Sequence, residues 1–357
     1  MRPRPGWDVF CRVIDNHGDI GVAWRLCADL AGRGEHVRLW VDDPSALAWM
    51  APRGCAGVEL VAWTDSAPDL TPGGVVVETF GCDPPPRFVQ RIAECRPAPA
   101  WINLEYLSAE PYAEGSHGLP SPVNAAHGRV LVKYFFFPGF SARSGGLLRE
   151  PGLMAALAAC DRDHWLRENG VALQAGERLA SLFCYDNPQL DAVLDRLGEQ
   201  PTLLLVCPGA ATLQVAPLLG PAMRRGRLRA HALPYLTQAG YDRLLWSCDL
   251  NFVRGEDSFV RAQWAGKPFV WQIYPQRDDA HRTKLVAFLD RMLAGARDAS
   301  LEAALRKLFL GWNALAPLNG ALPEVPRWRG LCEDWRNGLH RQDDLCTQLV
   351  RFVRETR

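Results

Sequence analysis

Short apolar runs alternate with amphipathic segments from the start of the chain. Trp7 to Val13 is the first such run and predicts a strand. Ile20 to Arg33 carries Val22, Leu26 and Leu30 on one face at helical spacing. Val37 to Val41, Val58 to Trp63, Val75 to Phe80 and Trp101 to Tyr106 are further predicted strands. Apolar runs with helices between them predict a parallel sheet covered on both faces. The rhythm breaks from Ser116 to Glu150, which is rich in Gly, Pro and aromatic residues. That stretch predicts mostly loop near a domain junction, with room for a short strand. A second alternation starts near Arg178. Leu179 to Tyr185, Thr202 to Cys207, Leu228 to Leu233, Leu250 to Val253 and Phe269 to Ile273 read as strands. Pro188 to Leu197, Gln238 to Trp246 and Ser258 to Ala265 read as helices, and the chain from Arg282 onward as mainly helical. The expectation is an α/β protein of two doubly wound domains, residues 1–155 and 160–335. Its ligand cleft is expected between them, at the carboxyl ends of both sets of strands.

Composition narrows the function. The chain has 357 residues, a comfortable length for two domains, with 48% hydrophobic and 22% charged residues. Forty basic and forty acidic side chains cancel, so there is no electrostatic case for a nucleic-acid partner. Nearly all the basic charge is Arg; Lys occurs only as Lys133, Lys267, Lys284 and Lys307. Eleven cysteines are scattered singly without a C-x-x-C, as expected for buried, reduced thiols in the cytoplasm. The eight His show no clustered ligand spacing, so no structural metal is expected. Met1 to Gly6 runs into the first strand without an apolar leader, and no apolar run reaches membrane-spanning length.

Three constellations carry candidate chemistry. Asp15-Asn16-His17-Gly18-Asp19-Ile20-Gly21 lies between the first strand and the first helix, at the sheet's carboxyl edge. Two carboxylates four residues apart beside a His make an acid/base-capable cluster, and the two Gly allow close backbone approach. Helix capping accounts for one Asp but not for the pair. The spacing does not match a dinucleotide fingerprint. The second constellation is Arg254-Gly255-Glu256-Asp257-Ser258, where a strand ends and a helix opens. Its helix start can hold a diphosphate through free N–H groups, the Ser258 hydroxyl and the Arg254 cation; an ordinary capped helix is the competing explanation. The third is Phe183 and Tyr185, with Tyr235 and Gln238, near strand ends. Such rings can stack on a base and Gln can pair with its edge, although aromatic packing under a loop is commoner. The stretch Arg224 to Arg229 reads as solvated surface.

Asp15-Asn-His-Gly-Asp-Ile-Gly21, Leu233-Pro-Tyr-Leu236 and Phe252-Val-Arg-Gly-Glu-Asp-Ser258, in that order, resemble the bacterial protein-arginine rhamnosyltransferases that modify translation elongation factor P. The resemblance covers nearly the whole chain. It implies the GT-B glycosyltransferase architecture, with two Rossmann-like domains facing across a cleft. It implies an acceptor-side domain over 1–155, completed by a C-terminal helix at about 340–357, and a donor domain over 160–335. It also implies transfer of L-rhamnose from dTDP-β-L-rhamnose to an arginine of elongation factor P, with inversion and without a metal or other cofactor. By resemblance Asp19 is the general base, Asp15 its acidic partner, and Glu256 a catalytic or donor-orienting carboxylate. Asn16, Gly18, Phe183, Tyr185, Gln238, Arg254, Gly255, Asp257 and Ser258 fall at donor-site positions. Tyr235 stands where a Phe is expected; the ring is kept and a hydroxyl added. Two other readings remain open at this point: another GT-B nucleotide-sugar transferase or epimerase, and a non-catalytic module that binds a translation factor.

Overall fold

The structure, a computed structural model, describes residues 6–14, 17–64, 67–125, 128–276 and 280–356. Asp15 and Asn16 lie outside the described residues. The chain divides into two compact units, residues 1–151 with 341–357, and residues 152–340.

The first unit runs β1 (Trp7–Cys11), α1 (Gly18–Gly32), β2 (Val37–Val41), α2 (Leu47–Met50), β3 (Val58–Ala62), β4 (Val75–Thr79), α3 (Pro86–Glu94) and β5 (Ala100–Leu104). It continues with α4 (Pro111–Ser116), β6 (Pro120–Asn124) and β7 (Val130–Phe136). The strands form a seven-stranded sheet in the order β3-β2-β1-β4-β5-β7-β6. All neighbours are parallel except β6 and β7. Side chains alternate between the faces as strand geometry requires. Val9, Leu39, Val77 and Ile102 enter one core, and Phe10, Trp40, Val76 and Trp101 the other. Among the described residues of this unit, the carboxylates of Asp8 and Glu78 have no exposure, and Glu78 pairs with Lys133. The Asp8 carboxylate accepts Arg38 Nε (2.6 Å) and Nη2 (2.8 Å), Trp40 Nε1 (2.9 Å) and the Gly73 amide (2.7 Å). Those donors replace the water it loses.

The β6–β7 pair corrects the expectation for Ser116 to Glu150. Pro120 and Pro122 read locally as turn residues. In the sheet they stand on an edge strand, where the proline's missing N–H costs no ladder bond.

The second unit runs α5 (Leu153–Ala158), α6 (Arg162–Glu168), β8 (Arg178–Leu182), α7 (Leu190–Gly198), β9 (Thr202–Val206), α8 (Ala210–Leu219), β10 (Arg224–Arg225) and β11 (Leu228–Ala232). It continues with α9 (Gln238–Ser247), β12 (Leu250–Arg254), α10 (Asp257–Ala265), β13 (Phe269–Gln272), α11 (Ala280–Leu293), α12 (Ala299–Trp312) and α13 (Val325–His340). Its sheet order is β10-β11-β9-β8-β12-β13, parallel except for β10. Arg224 to Arg229 is therefore a hairpin and not simply solvated chain. Arg225 pairs with Asp191 (2.7 Å) and Asp195 (3.0 Å), and Arg229 with Glu177 (2.5 Å).

The last helix, α14 (Leu345–Glu355), returns to the first unit. Leu345, Cys346, Leu349 and Val353 join the core that holds the buried face of α1. Arg33 at the end of α1 fixes the join, with Nε 2.7 Å from Asp29 and Nη2 2.7 Å from Asp344. Asp29, Asp344 and Cys346 are the one group among the described residues that could gather around a metal, and Arg33 already supplies their counter-charge. All eleven cysteines are free, nine of them buried. No helix among the described residues is long and apolar enough to cross a membrane.

Leu349→Ala removes a fully buried side chain from the α1–α14 seam. It should cost about 2–5 kcal/mol in urea unfolding; a loss within experimental error would show that the seam does not hold the first unit together.

Candidate active site

In both units the first strand has neighbours reached by crossovers of opposite direction. The switch point lies between β1 and β4 in the first unit and between β8 and β12 in the second. In such sheets the ligand crevice forms outside the carboxyl ends of those strands.

In the second unit, Phe183 and Tyr185 follow β8 and Arg254 ends β12, on the neighbouring strand. Arg254 is 8% exposed. Its guanidinium carbon lies 4.4 Å from the Phe183 ring centroid and 4.3 Å from that of Tyr185. A planar, weakly hydrated cation suits such stacking, worth about 2 kcal/mol when desolvated. Cys184, between the two aromatics, is buried, and that burial pushes its thiol up to about 12; Cys207 is pushed up to about 12 in the same way. Neither is a thiolate nucleophile at neutral pH.

The turn from β12 into α10 needs Gly255, whose φ is 65°, in the left-handed region. Trp271 Nε1 donates to the Gly255 carbonyl (2.8 Å), and the Trp271 ring stacks on Phe259 at 3.8 Å. Glu256 takes the N-cap position of α10 and Asp257 its first turn. The Ser258 hydroxyl accepts the Arg254 amide (3.1 Å) and donates to the Arg254 carbonyl. It thus closes the turn, an outcome that spacing alone does not give. Gln238 opens α9 and donates from Nε2 to Asp257 Oδ2 at 3.4 Å, joining two helix starts. Tyr235, three residues earlier, is half exposed at 51%.

Two contributors were not foreseen. Gln272 accepts the Tyr185 amide at Oε1 (2.9 Å) and donates from Nε2 to the Asp186 carbonyl (3.3 Å), which fixes the Tyr185 loop. Tyr241 packs edge-on against Phe183 at 5.8 Å, and burial pushes its phenol well above the ordinary value. Gln272 ends a buried strand, where a polar side chain is a signal that sequence could have supplied.

In the first unit, Gly18 begins α1 and Asp19 lies in its first turn, 3% exposed. Asp19 Oδ2 accepts the Ile14 amide at 2.9 Å. The Tyr106 hydroxyl lies 3.4 Å from Oδ1. These contacts orient the carboxylate. Phe80, after β4, stacks on Tyr106 with ring centroids 4.2 Å apart and planes 14° apart. The first unit thus supplies an oriented carboxylate. The second supplies a clamped cation beside two helix starts, where backbone N–H groups and the helix dipole favour an anion.

A family model described as Elongation-Factor P (EF-P) rhamnosyltransferase EarP matches residues 7–354. A protein-arginine rhamnosyltransferase of Pseudomonas aeruginosa is 44% identical over 375 aligned positions, spanning 97% of this chain and 98% of its own length. A solved structure, described as the structural basis for EarP-mediated arginine glycosylation of translation elongation factor EF-P, matches with a TM-score of 0.69 and 34% identity over 99% of each chain. A UDP-glucosyltransferase from Polygonum tinctorium matches over 99% of each chain with a TM-score of 0.55 and 11% identity, a likeness of fold alone. The fold is the GT-B glycosyltransferase architecture, as the resemblance implied.

Arg254→Lys keeps the charge but loses the planar stack. Titration calorimetry with a nucleoside diphosphate should show binding about tenfold weaker or more; unchanged affinity would remove Arg254 from the anion site.

Proposed function

The chain belongs to the elongation factor P rhamnosyltransferase family and is a protein-arginine rhamnosyltransferase, and from that premise we propose that its donor is dTDP-β-L-rhamnose and its acceptor one arginine of elongation factor P. Transfer inverts the anomeric carbon and uses no metal. The family's activity sets aside the silent binding module and the epimerase. The observation that carries the donor reading is the Arg254 guanidinium, clamped between Phe183 and Tyr185 at the start of α10.

In this reading the donor diphosphate lies against the N-terminus of α10, with Arg254 as counter-ion. Ser258 joins by turning its hydroxyl from the Arg254 carbonyl toward a phosphate oxygen. Gly255 and Asp257 shape that edge, while Phe183, Tyr185, Tyr235 and Gln238 hold the nucleotide, and Glu256 orients the donor. Helix dipole and guanidinium together stabilise the negative charge that grows on the leaving oxygen, the work a metal does in other enzymes.

The acceptor guanidinium is a poor nucleophile because its charge is delocalised and its pKa lies above about 12. Asp19 does not remove its proton beforehand. It holds the nitrogen, localises electron density there and takes the proton as the bond forms. The nitrogen–carbon bond forms on the face opposite the diphosphate. The carbon–oxygen bond to the diphosphate breaks, its electron pair leaves with dTDP, and the proton ends on Asp19. Asp15 is the partner that holds the guanidinium, and Asn16 and Gly18 belong to the donor side. The neutral overall charge fits a cytoplasmic enzyme whose partner is a protein and not nucleic acid or membrane.

The test is Asp19→Asn with folding verified, assayed by intact mass of elongation factor P. Rhamnosylation should fall by about a hundredfold or more, and wild-type activity should be unchanged by EDTA. Near-wild-type transfer by Asp19→Asn would remove Asp19 as the base, and loss of activity in EDTA would remove the metal-free mechanism.

A further inference from the structure

The carboxyl edge of the first unit's sheet carries an aromatic pair that the mechanism above does not use. Phe80 and Tyr106 follow the neighbouring strands β4 and β5. Their rings are stacked at 4.2 Å. Phe80 reaches that position with φ of +59°, a left-handed conformation that residues with a β-carbon rarely adopt. The Phe80 amide donates to the Leu104 carbonyl at 2.7 Å, which holds the turn. Strained backbone of this kind persists only where the surroundings enforce it, and it gathers at functional sites. Tyr106 keeps 37% of its surface exposed while its hydroxyl lies 3.4 Å from Asp19 Oδ1.

We propose that Tyr106 prepares the acceptor side of the reaction: its hydroxyl sets the orientation of the Asp19 carboxylate, and its ring receives the guanidinium of the acceptor arginine. The inference rests on the reading of Asp19 as the base. With the Ile14 amide on Oδ2 and the Tyr106 hydroxyl on Oδ1, the plane of the carboxylate is fixed from both ends. A fixed carboxylate beside an aromatic ring is a receptor for a flat cation that both stacks and donates hydrogen bonds. Guanidinium does both, whereas a lysine ammonium is a strongly hydrated point charge without a face to stack. The pair Tyr106–Asp19 therefore selects arginine over lysine and aims one nitrogen at the carboxylate. Phe80 stacks on the Tyr106 ring and limits its rotation.

The two roles separate kinetically. Tyr106→Phe keeps the ring and loses the hydroxyl; Tyr106→Leu loses both. With dTDP-rhamnose saturating and elongation factor P varied, Tyr106→Phe should lower kcat about tenfold and leave the acceptor KM within about twofold. Tyr106→Leu should lower kcat at least as far and also raise the acceptor KM about tenfold. Thermal melting of each variant checks the fold. Wild-type kcat in Tyr106→Phe, or a wild-type acceptor KM in folded Tyr106→Leu, overturns the proposal. Asp19→Asn in the same assay separates the two ideas. An inactive Asp19→Asn with a wild-type Tyr106→Phe sinks the Tyr106 role alone, whereas an active Asp19→Asn sinks the base and this inference with it.

Discussion

Parallel strand pairing is the constraint from which the candidate site follows. Each connection must cross back over a face of the sheet, so both faces are covered and the strands are mainly apolar. Functional groups are then confined to the loops that leave the carboxyl ends. Where crossovers from one strand diverge in opposite directions, those loops part and leave room for a ligand. In the first unit this happens between β1 and β4, and Asp19 and Phe80 stand there. In the second it happens between β8 and β12, and Phe183, Tyr185 and Arg254 stand there. The same topology, used twice, delivers a carboxylate in one unit and a cation in the other.

What each unit does with its switch point depends on how its charge is held. Arg254 is nearly buried and sits against two aromatic faces, so its guanidinium is fixed in orientation. In the proposed reading, an incoming diphosphate would meet a pre-set cation and lose less freedom on binding than with a mobile one. Asp19 is also buried and pre-set, through a backbone amide and a tyrosine hydroxyl. Its helix α1 is in turn tied by Arg33 to the returning helix α14, so the last residues of the chain support the loop near its start.

Much of this was legible in the sequence, for identifiable reasons. The stretches Val75 to Val77 and Leu203 to Val206 lie in strands buried on both faces, and an uninterrupted apolar run announces each. Pro120 to Phe136 was not legible, because prolines on an edge strand look locally like a turn. Arg225 and Arg229 looked solvated because their carboxylate partners, Asp191, Asp195 and Glu177, lie 30 to 52 residues away. The motif Arg254 to Ser258 announced a helix start, but not that Ser258 spends its hydrogen on the Arg254 carbonyl. Tyr106 carried no motif at all. Its place beside Asp19 depends on β5 lying two strands from β1 in the sheet, which only the fold reveals. The identity of the sugar and of the acceptor came from the resemblance and from no spacing or charge pattern.

The proposed mechanism turns on a single displacement at the anomeric carbon by an arginine nitrogen, with Asp19 as base and Arg254 as counter-ion to the leaving group. The most direct measurement is the anomeric configuration of the product, by NMR of elongation factor P after reaction with dTDP-β-L-rhamnose and the wild-type enzyme. The account predicts one deoxyhexose on one arginine, linked with α configuration. A β-linked sugar would require two displacements and would contradict it.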